Sequence, residues 1–402
     1  MMTLGVLAFV VALLVSVMLH EAGHFLTAKL FGMKATQFFV GFGPTLWSRQ
    51  KGETEYGVKA IPAGGFVKII GMTPLEEVEP ADQPRAFINK AGWQRFIVLV
   101  AGSTVHFLIA LVLLFVLLIG WPTVLHGPGQ VAGVQDCVTN SDAGTCGSGA
   151  PAAPAKGLLQ KDDVITAVDG TPVTRGGDQV ASLVREAAAS GPVVFTVERA
   201  GQTQTVTVTP VQVDGHGRVG ITIDDAPSAT LDRIGFTGAV TGSFTNFGQY
   251  VVASFKALGA VPHEVGQVLS GSRQERTIDG SGGGGSQVTS VVGVAQISGE
   301  AFKAGGFYGG VATLIGITAS VNLFVGIFNL FPLLPLDGGH VAILAYEKIR
   351  DRWRRRRKLA AAGPVDLAKL MPVTYGALAI IVGIAVVVLY ADVVNPVANP
   401  FQ

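Results

Sequence analysis

The chain has 402 residues, 49% of them hydrophobic and only 14% charged, with a mean hydropathy of +0.47, which excludes an ordinary soluble protein. A formal net charge of +1 without any basic–aromatic pattern gives no sign of a nucleic-acid partner. Four uncharged stretches, residues 3–19 extended through a motif at 20–24, then 96–121, 304–336 and 370–391, are long enough to cross ~30 Å of hydrocarbon as helices.

The first stretch carries His20-Glu21-Ala22-Gly23-His24. In a helix, residues at i and i+4 stack on one face, so the two imidazoles form a chelating pair and Glu21 can reach a water on the same metal. Zinc suits such nitrogen donors when one coordination position stays open to water. Ionisable groups at membrane depth are costly and argue for function. A cleaved secretory signal over 1–19 is disfavoured because no Lys or Arg precedes the apolar run, which continues into Phe25-Leu26 without a cleavage signature. A retained membrane helix is expected, ending near Ala28-Lys29.

Charge sets the expected topology. Nine Lys or Arg fall between 26 and 96, nine between 348 and 369, and eleven are spread over 123–306. The positive-inside rule makes the two dense regions cytoplasmic. Four spans then put both termini and 123–306 outside the cytoplasmic membrane, with the metal site near its cytoplasmic side.

In residues 36–70, Gly41-Phe42-Gly43-Pro44 signals a turn and Tyr56–Lys68 reads as a broken β-hairpin. A plain cytoplasmic hairpin is one reading; backbone dipping into a cavity beside the motif is the other. Residues 71–92, rich in Glu, Asp and Pro, read as a solvated loop. His106 in the second span reads as a helix-packing hydrogen bonder and is left out of the site.

From about residue 125 the composition becomes that of a soluble domain. Residues 155–173 read as strand, Asp-Gly turn and strand, followed by a helix near 176–189 and strands at Val193–Arg199 and Gln204–Thr209. This resembles a PDZ domain, spanning 123–226, in which a peptide adds as an extended strand beside the helix; a small β-rich ectodomain without a binding role is the alternative. Cys137 and Cys146 are the only cysteines, and an oxidising compartment permits a disulfide between them. In the region 227–303, Phe236, Phe244, Phe247, Tyr250, Val251, Phe255 and Leu258 are spaced for an amphipathic helix, either on the outer membrane surface or packed on the protein. Gly280–Ser286 has the composition of a flexible linker, natural or engineered.

The third span ends in Asn329-Leu330-Phe331-Pro332-Leu333-Leu334-Pro335-Leu336-Asp337-Gly338-Gly339-His340. Its prolines bend or unwind the chain. Asp337 then falls at the depth of His20 and His24, where it completes a two-His, one-Asp set; a helix-capping Asp is the plain alternative.

Taken together, H-E-A-G-H, G-F-G-P, I-P-A-G-G-F-V-K, one PDZ-like region and N-L-F-P-L-L-P-L-D-G-G-H, in this order, resemble the site-2 protease family of intramembrane zinc metalloproteases (peptidase family M50), in its RseP-like bacterial branch. The fold class implied is a mostly α-helical polytopic membrane protein: four transmembrane helices, a membrane-associated β-hairpin element, and an inserted extracytoplasmic α+β PDZ domain. The membrane core is then split into 1–122 and 304–402. The resemblance implies one zinc ion on His20, His24 and Asp337, Glu21 as catalytic carboxylate, and Asn329 beside bound substrate. It also implies that Gly64, Gly65, Phe66 and Val67 hold substrate as a strand. Substrates would be single-span membrane proteins, such as anti-sigma factors or signal-peptide remnants. The alternative is a catalytically inactive adaptor that binds membrane proteins through its PDZ domain. The second proline departs from the family's spacing, with Leu334 in its place and Pro335 following.

Overall fold

In a bilayer a backbone amide finds a partner only within its own helix or a paired strand, so long uncharged runs become helices. The computed structural model describes residues 1–72, 77–122, 124–138, 146, 150–188, 191–213, 216–270, 290–360, 362–363 and 365–394. Gly280–Ser286 lies outside them. The chain divides into two compact units, 1–117 with 239–402, and 118–238. Among the described residues four helices are long and apolar enough to cross a membrane: Met2–Leu30, Gly92–Gly120, Gly306–Asn329 and Met371–Asp392.

Helix α1 (Met2–Leu30) buries Gly5, Phe9, Ser16, His20, Gly23, His24 and Ala28, a stripe at three- and four-residue spacing that faces protein. Its other faces carry exposed Leu4, Leu7, Val11 and Val15. Strands β1 (Ala35–Lys51) and β2 (Thr54–Ile69) follow. Gln37–Val40 have partners on both sides, Glu55–Val58 on one and Lys68–Gly65 on the other, while Trp47–Lys51 pair with Val58–Thr54. The two long strands therefore fold into a sheet four segments wide, with 65–68 along one edge. The sequence pattern shows the hairpin but not this double pairing.

Residues 77–91 are not simply solvated. Phe87 is buried with Ala28, Met33, Ile69, Val98 and Leu99, and Arg85 grips Glu53 through two hydrogen bonds of 2.6 and 2.7 Å. This fastens the β1–β2 turn, as does Lys29 on the same carboxylate. Helix α2 (Gly92–Gly120) then runs through the unit.

The second unit contains β3 (Val124–His126), β4 (Gly129–Val134), β5 (Val164–Val168), β6 (Thr171–Pro172), α3 (Gly176–Ala187), β7 (Val193–Arg199), β8 (Gln202–Val208), β9 (Val211–Val213), β10 (His216–Arg218), β11 (Ile221–Asp225) and β12 (Thr230–Asp232). Its main sheet runs β11-β4-β5-β7-β8 in antiparallel order, with β6 on β5. Val131, Ile165, Val180, Val184, Val193, Phe195 and Val197 form its core, α3 packing on the sheet. Alternating residues of β7 point inward, as a half-buried strand requires. Asp163 is buried and held by Arg199 in two 2.6 Å hydrogen bonds. Burial raises the Asp163 carboxyl, but Arg199 and the Gln160 N–H outweigh it and leave it below the usual carboxylate range. Cys137 and Cys146 form a disulfide.

Helix α4 (Phe236–Ser270) follows. Its Phe247, Tyr250, Val251 and Leu258 pack against Ala110, Leu323 and Ile327, so this face is covered by protein rather than by a lipid surface; Phe236, Phe244 and Phe255 remain exposed. Helix α5 (Val291–Ala304), N-capped by Ser290, follows the linker-like Gly280–Ser286 and is not expected from the sequence. Then come α6 (Gly306–Asn329), α7 (Asp337–Arg356) and α8 (Met371–Val394). The long third stretch is thus interrupted over Leu330–Leu336, where the prolines sit, and becomes helical again at Asp337.

Candidate metal centre

The site is built where α1, α2 and the start of α7 meet. His20 and His24 are 7% and 4% exposed, unusual for two polar side chains in an apolar helix. His24 Nδ1–H donates to the Val98 carbonyl at 2.7 Å, which leaves its Nε2 lone pair turned into the site. Asp337, first residue of α7, brings Oδ2 to 3.4 Å from Nε2 of both histidines, and the two Nε2 atoms are 3.1 Å apart.

These distances test the fit of a metal. Tetrahedral zinc with bonds of about 2.0–2.1 Å sets its ligand atoms about 3.3 Å apart, close to all three separations. Asp337 Oδ2 is buried without a hydrogen-bond partner among the described residues. A carboxylate oxygen in that state, facing the His24 Nε2 lone pair and the His20 Nε2, suits a cation between them. The residues fit zinc.

Glu21 sits between α1 and the sheet, its Oε2 accepting the Val67 N–H at 3.1 Å. Gly65, Phe66 and Val67 lie along the edge segment of that sheet, and Gly64 directly precedes it in β2. A Cβ on Gly65 would fall 2.4 Å from Met18 Sδ and 2.9 Å from the Phe39 carbonyl oxygen, so the edge approaches α1 closely only without a side chain there. Asn329 is the last residue of α6 and half-buried, separated from Asp337 by the Leu330–Leu336 break.

Two features beside the ligands are not marked in the sequence, the close approach of Gly102 and the partner of His106. Gly102 on α2 faces the imidazoles: a Cβ there would lie 2.4 Å from both His20 Cε1 and His24 Nε2. His106, one turn further along α2, has its ring centroid 4.9 Å from that of His20. Asn322 Nδ2 donates to Ser16 Oγ at 3.0 Å and to the Thr318 carbonyl at 2.8 Å. Its Oδ1 is left to accept from His106 Nδ1–H at 2.8 Å. His106 is therefore a packing hydrogen bonder, in a buried network tying α1, α2 and α6 together beside the site. The sequence singles out His106 as a packing hydrogen bonder but not its partner Asn322, and a glycine in an apolar helix carries no periodic signal that would mark Gly102.

Outside the spans, the Arg85 guanidinium, with Lys29 beside it, holds the Glu53 carboxyl at about 2.

Two imidazoles and a carboxylate are the ligand chemistry of catalytic zinc, and inside a bundle of membrane-length helices they place the chain among membrane-embedded zinc metalloproteases. The chain belongs to peptidase family M50, whose family model matches residues 8–373. It is similar to the zinc metalloprotease Rip1 of Mycobacterium tuberculosis, 38% identical over 418 residues that cover 99% of each chain. Rip1 of Mycolicibacterium smegmatis is 37% identical over 425 residues, again covering 99% of each. The chloroplastic membrane metalloprotease ARASP of Arabidopsis thaliana is 30% identical over 352 residues, 86% of this chain and 71% of that one.

Proposed function

We propose that the chain cleaves the transmembrane segments of single-span membrane proteins, with zinc on His20, His24 and Asp337 and with Glu21 as general base. The observation that carries this is the convergence of three donor atoms at 3.1–3.4 Å beside a carboxylate that also touches a sheet edge. Zinc supplies a Lewis acid that lowers the pKa of water toward ~7 and polarises a carbonyl. Glu21 takes the proton of the attacking water and passes it to the leaving amine. His24 keeps its donor orientation through Val98.

A helical substrate has its carbonyls engaged in its own hydrogen bonds, so it must unwind before attack. The edge Gly64–Val67 takes up the unwound segment as an added strand, with Asn329 beside it. The Val67 N–H then exchanges Glu21 for substrate, which links substrate docking to release of the base. Val67 thereby ties recognition to chemistry.

We assign residues 123–226, within the unit at 118–238, as a PDZ domain. Its edge strand β11 borders α3, whose Gly177 N–H donates to Asp225 at 2.9 Å; an extended peptide adds along β11. In orientation, the Arg-rich end of α7 is cytoplasmic, and the PDZ domain and both termini are extracytoplasmic, the metal lying near the cytoplasmic side of the cell membrane.

The test is Glu21→Gln in a reconstituted cleavage assay with a single-span helical substrate. Cleavage falls by 10²–10⁴-fold, the usual contribution of a general base, while zinc content stays at one per chain. Undiminished cleavage would remove Glu21 from the role of general base, whereas absence of cleavage by the parent chain itself would sink the protease reading and favour the adaptor.

A further inference from the structure

Helix α7 carries the candidate ligand Asp337 at one end and a second chemistry at the other. Its first half is fastened to protein: Leu344 is buried against Ala28, Val98 and Leu99. Glu347, also buried, meets Arg95 at 3.3 Å and accepts the Val365 N–H at 3.0 Å. Arg95 stands in the first turn of α2, a span, so Glu347 marks the level at which that span begins.

From Tyr346 onward the outer face of the helix changes character. Tyr346, Ile349 and Trp353 are 57%, 70% and 49% exposed. At spacings of three and four they share one helix face. Around them run Arg350, Arg352, Arg354, Arg355, Arg356, Arg357 and Lys358, with Asp351 the sole acidic residue between 348 and 358. Arg350 is paired with Asp351 and with the Ala362 and Gly363 carbonyls, and Arg354 donates to the Ala360 carbonyl. Arg352, Arg356 and Lys358 are exposed and have no acidic partner among the described residues. The Arg357 guanidinium lies over the Trp353 ring, 4.1 Å from its centroid.

We infer that the second half of α7 docks on the anionic phospholipid headgroups of the leaflet in which α1 ends and α2 begins. Aromatic and aliphatic side chains on one face, with arginines beside them, are the composition of a helix lying in the membrane interface. The arginine stems reach along the apolar boundary while their heads meet phosphate. The occupant is set by charge complementarity and by level: seven cations begin where a span begins, and the bilayer is the anionic surface present there. This rests on the membrane-embedded class of the chain, not on the identity of the zinc ligands.

The test uses the full-length chain in nanodiscs of phosphatidylcholine alone or with phosphatidylglycerol. The two native cysteines are bonded to each other, so Ile349→Cys offers a single free thiol for an environment-sensitive dye. Each cation near an anionic surface is worth about fivefold in lipid preference. The dye should therefore be quenched by lipid-borne bromine far more in phosphatidylglycerol discs. Arg352→Gln/Arg356→Gln/Lys358→Gln should weaken that preference by roughly a hundredfold, with zinc content unchanged. Millimolar inorganic phosphate should not reverse the quenching. Equal quenching in both lipids, quenching in neither, or a triple variant that behaves as the parent would overturn the inference; reversal by phosphate would make this a soluble-anion site instead.

Discussion

The two units of this chain are built inside out relative to each other. In the unit at 118–238, Ile165, Phe195 and Val197 are sealed in the core and water faces the polar residues. In the membrane unit, Leu7, Val11, Ile380 and Val386 are exposed, whereas Ser16, His20, His24, His106 and Asn322 are buried. The hydrophobic effect drives the first arrangement but gives little help between helices in lipid, where packing and interhelical hydrogen bonds act instead. Buried polarity thus means different things in the two places. Asp163 is neutralised by Arg199 within its own fold. Among the described residues Asp337 Oδ2 faces two imidazoles and has no hydrogen-bond partner, the situation in which the proposed zinc would sit.

The difference can be broken at several points. The largest effect after loss of Glu21 should come from Gly102→Ala, whose new methyl would overlap both imidazoles. Zinc affinity should fall by about 10–100-fold, as for loss of a group that orients metal ligands, measured by chelator competition. Unchanged zinc binding would show that α2 can move aside.

Next is a matched pair of truncations. Ile165→Ala should destabilise its unit by about 2–5 kcal/mol in thermal or denaturant unfolding. Leu7→Ala, on a face turned to lipid, should cost under about 1 kcal/mol. Equal costs would mean that Leu7 packs against protein.

The smallest effect concerns Glu53. Its carboxyl is held at about 2 in the fold against an ordinary value near 4.5, so its contribution to stability is full above about pH 4.5 and is lost as pH falls toward 2. Protection of the β1–β2 amides against hydrogen exchange should decline over that window. In Glu53→Gln it should be low throughout and independent of pH there.

Much of the site was legible before the fold was known. His20 and His24 announce themselves because i and i+4 is a helical geometry written directly into sequence, and charge topology carries Asp337 to the same depth. What stayed hidden depends on partners rather than on pattern. Gly102 matters only because α2 crosses α1 at His20 and His24, and Asn322 only because Ser16 and His106 meet it from two other helices. Helix α1 is apolar all round, so its sequence does not show which stripe is buried. The double pairing of Gln37–Val40 is invisible to a period-two reading, which gives faces but not neighbours. Helix α5 mixes Ser, Gln, Glu and Lys with small residues and follows a linker-like stretch, so composition pointed away from order.

The most direct test of the zinc assignment is X-ray absorption at the zinc edge of the purified full-length chain and of its His24→Ala variant. The spectrum should show one zinc with two imidazoles and oxygen donors and no sulfur, and the loss of one imidazole, or of the metal, in the variant. A zinc environment identical in the two proteins would contradict the assignment.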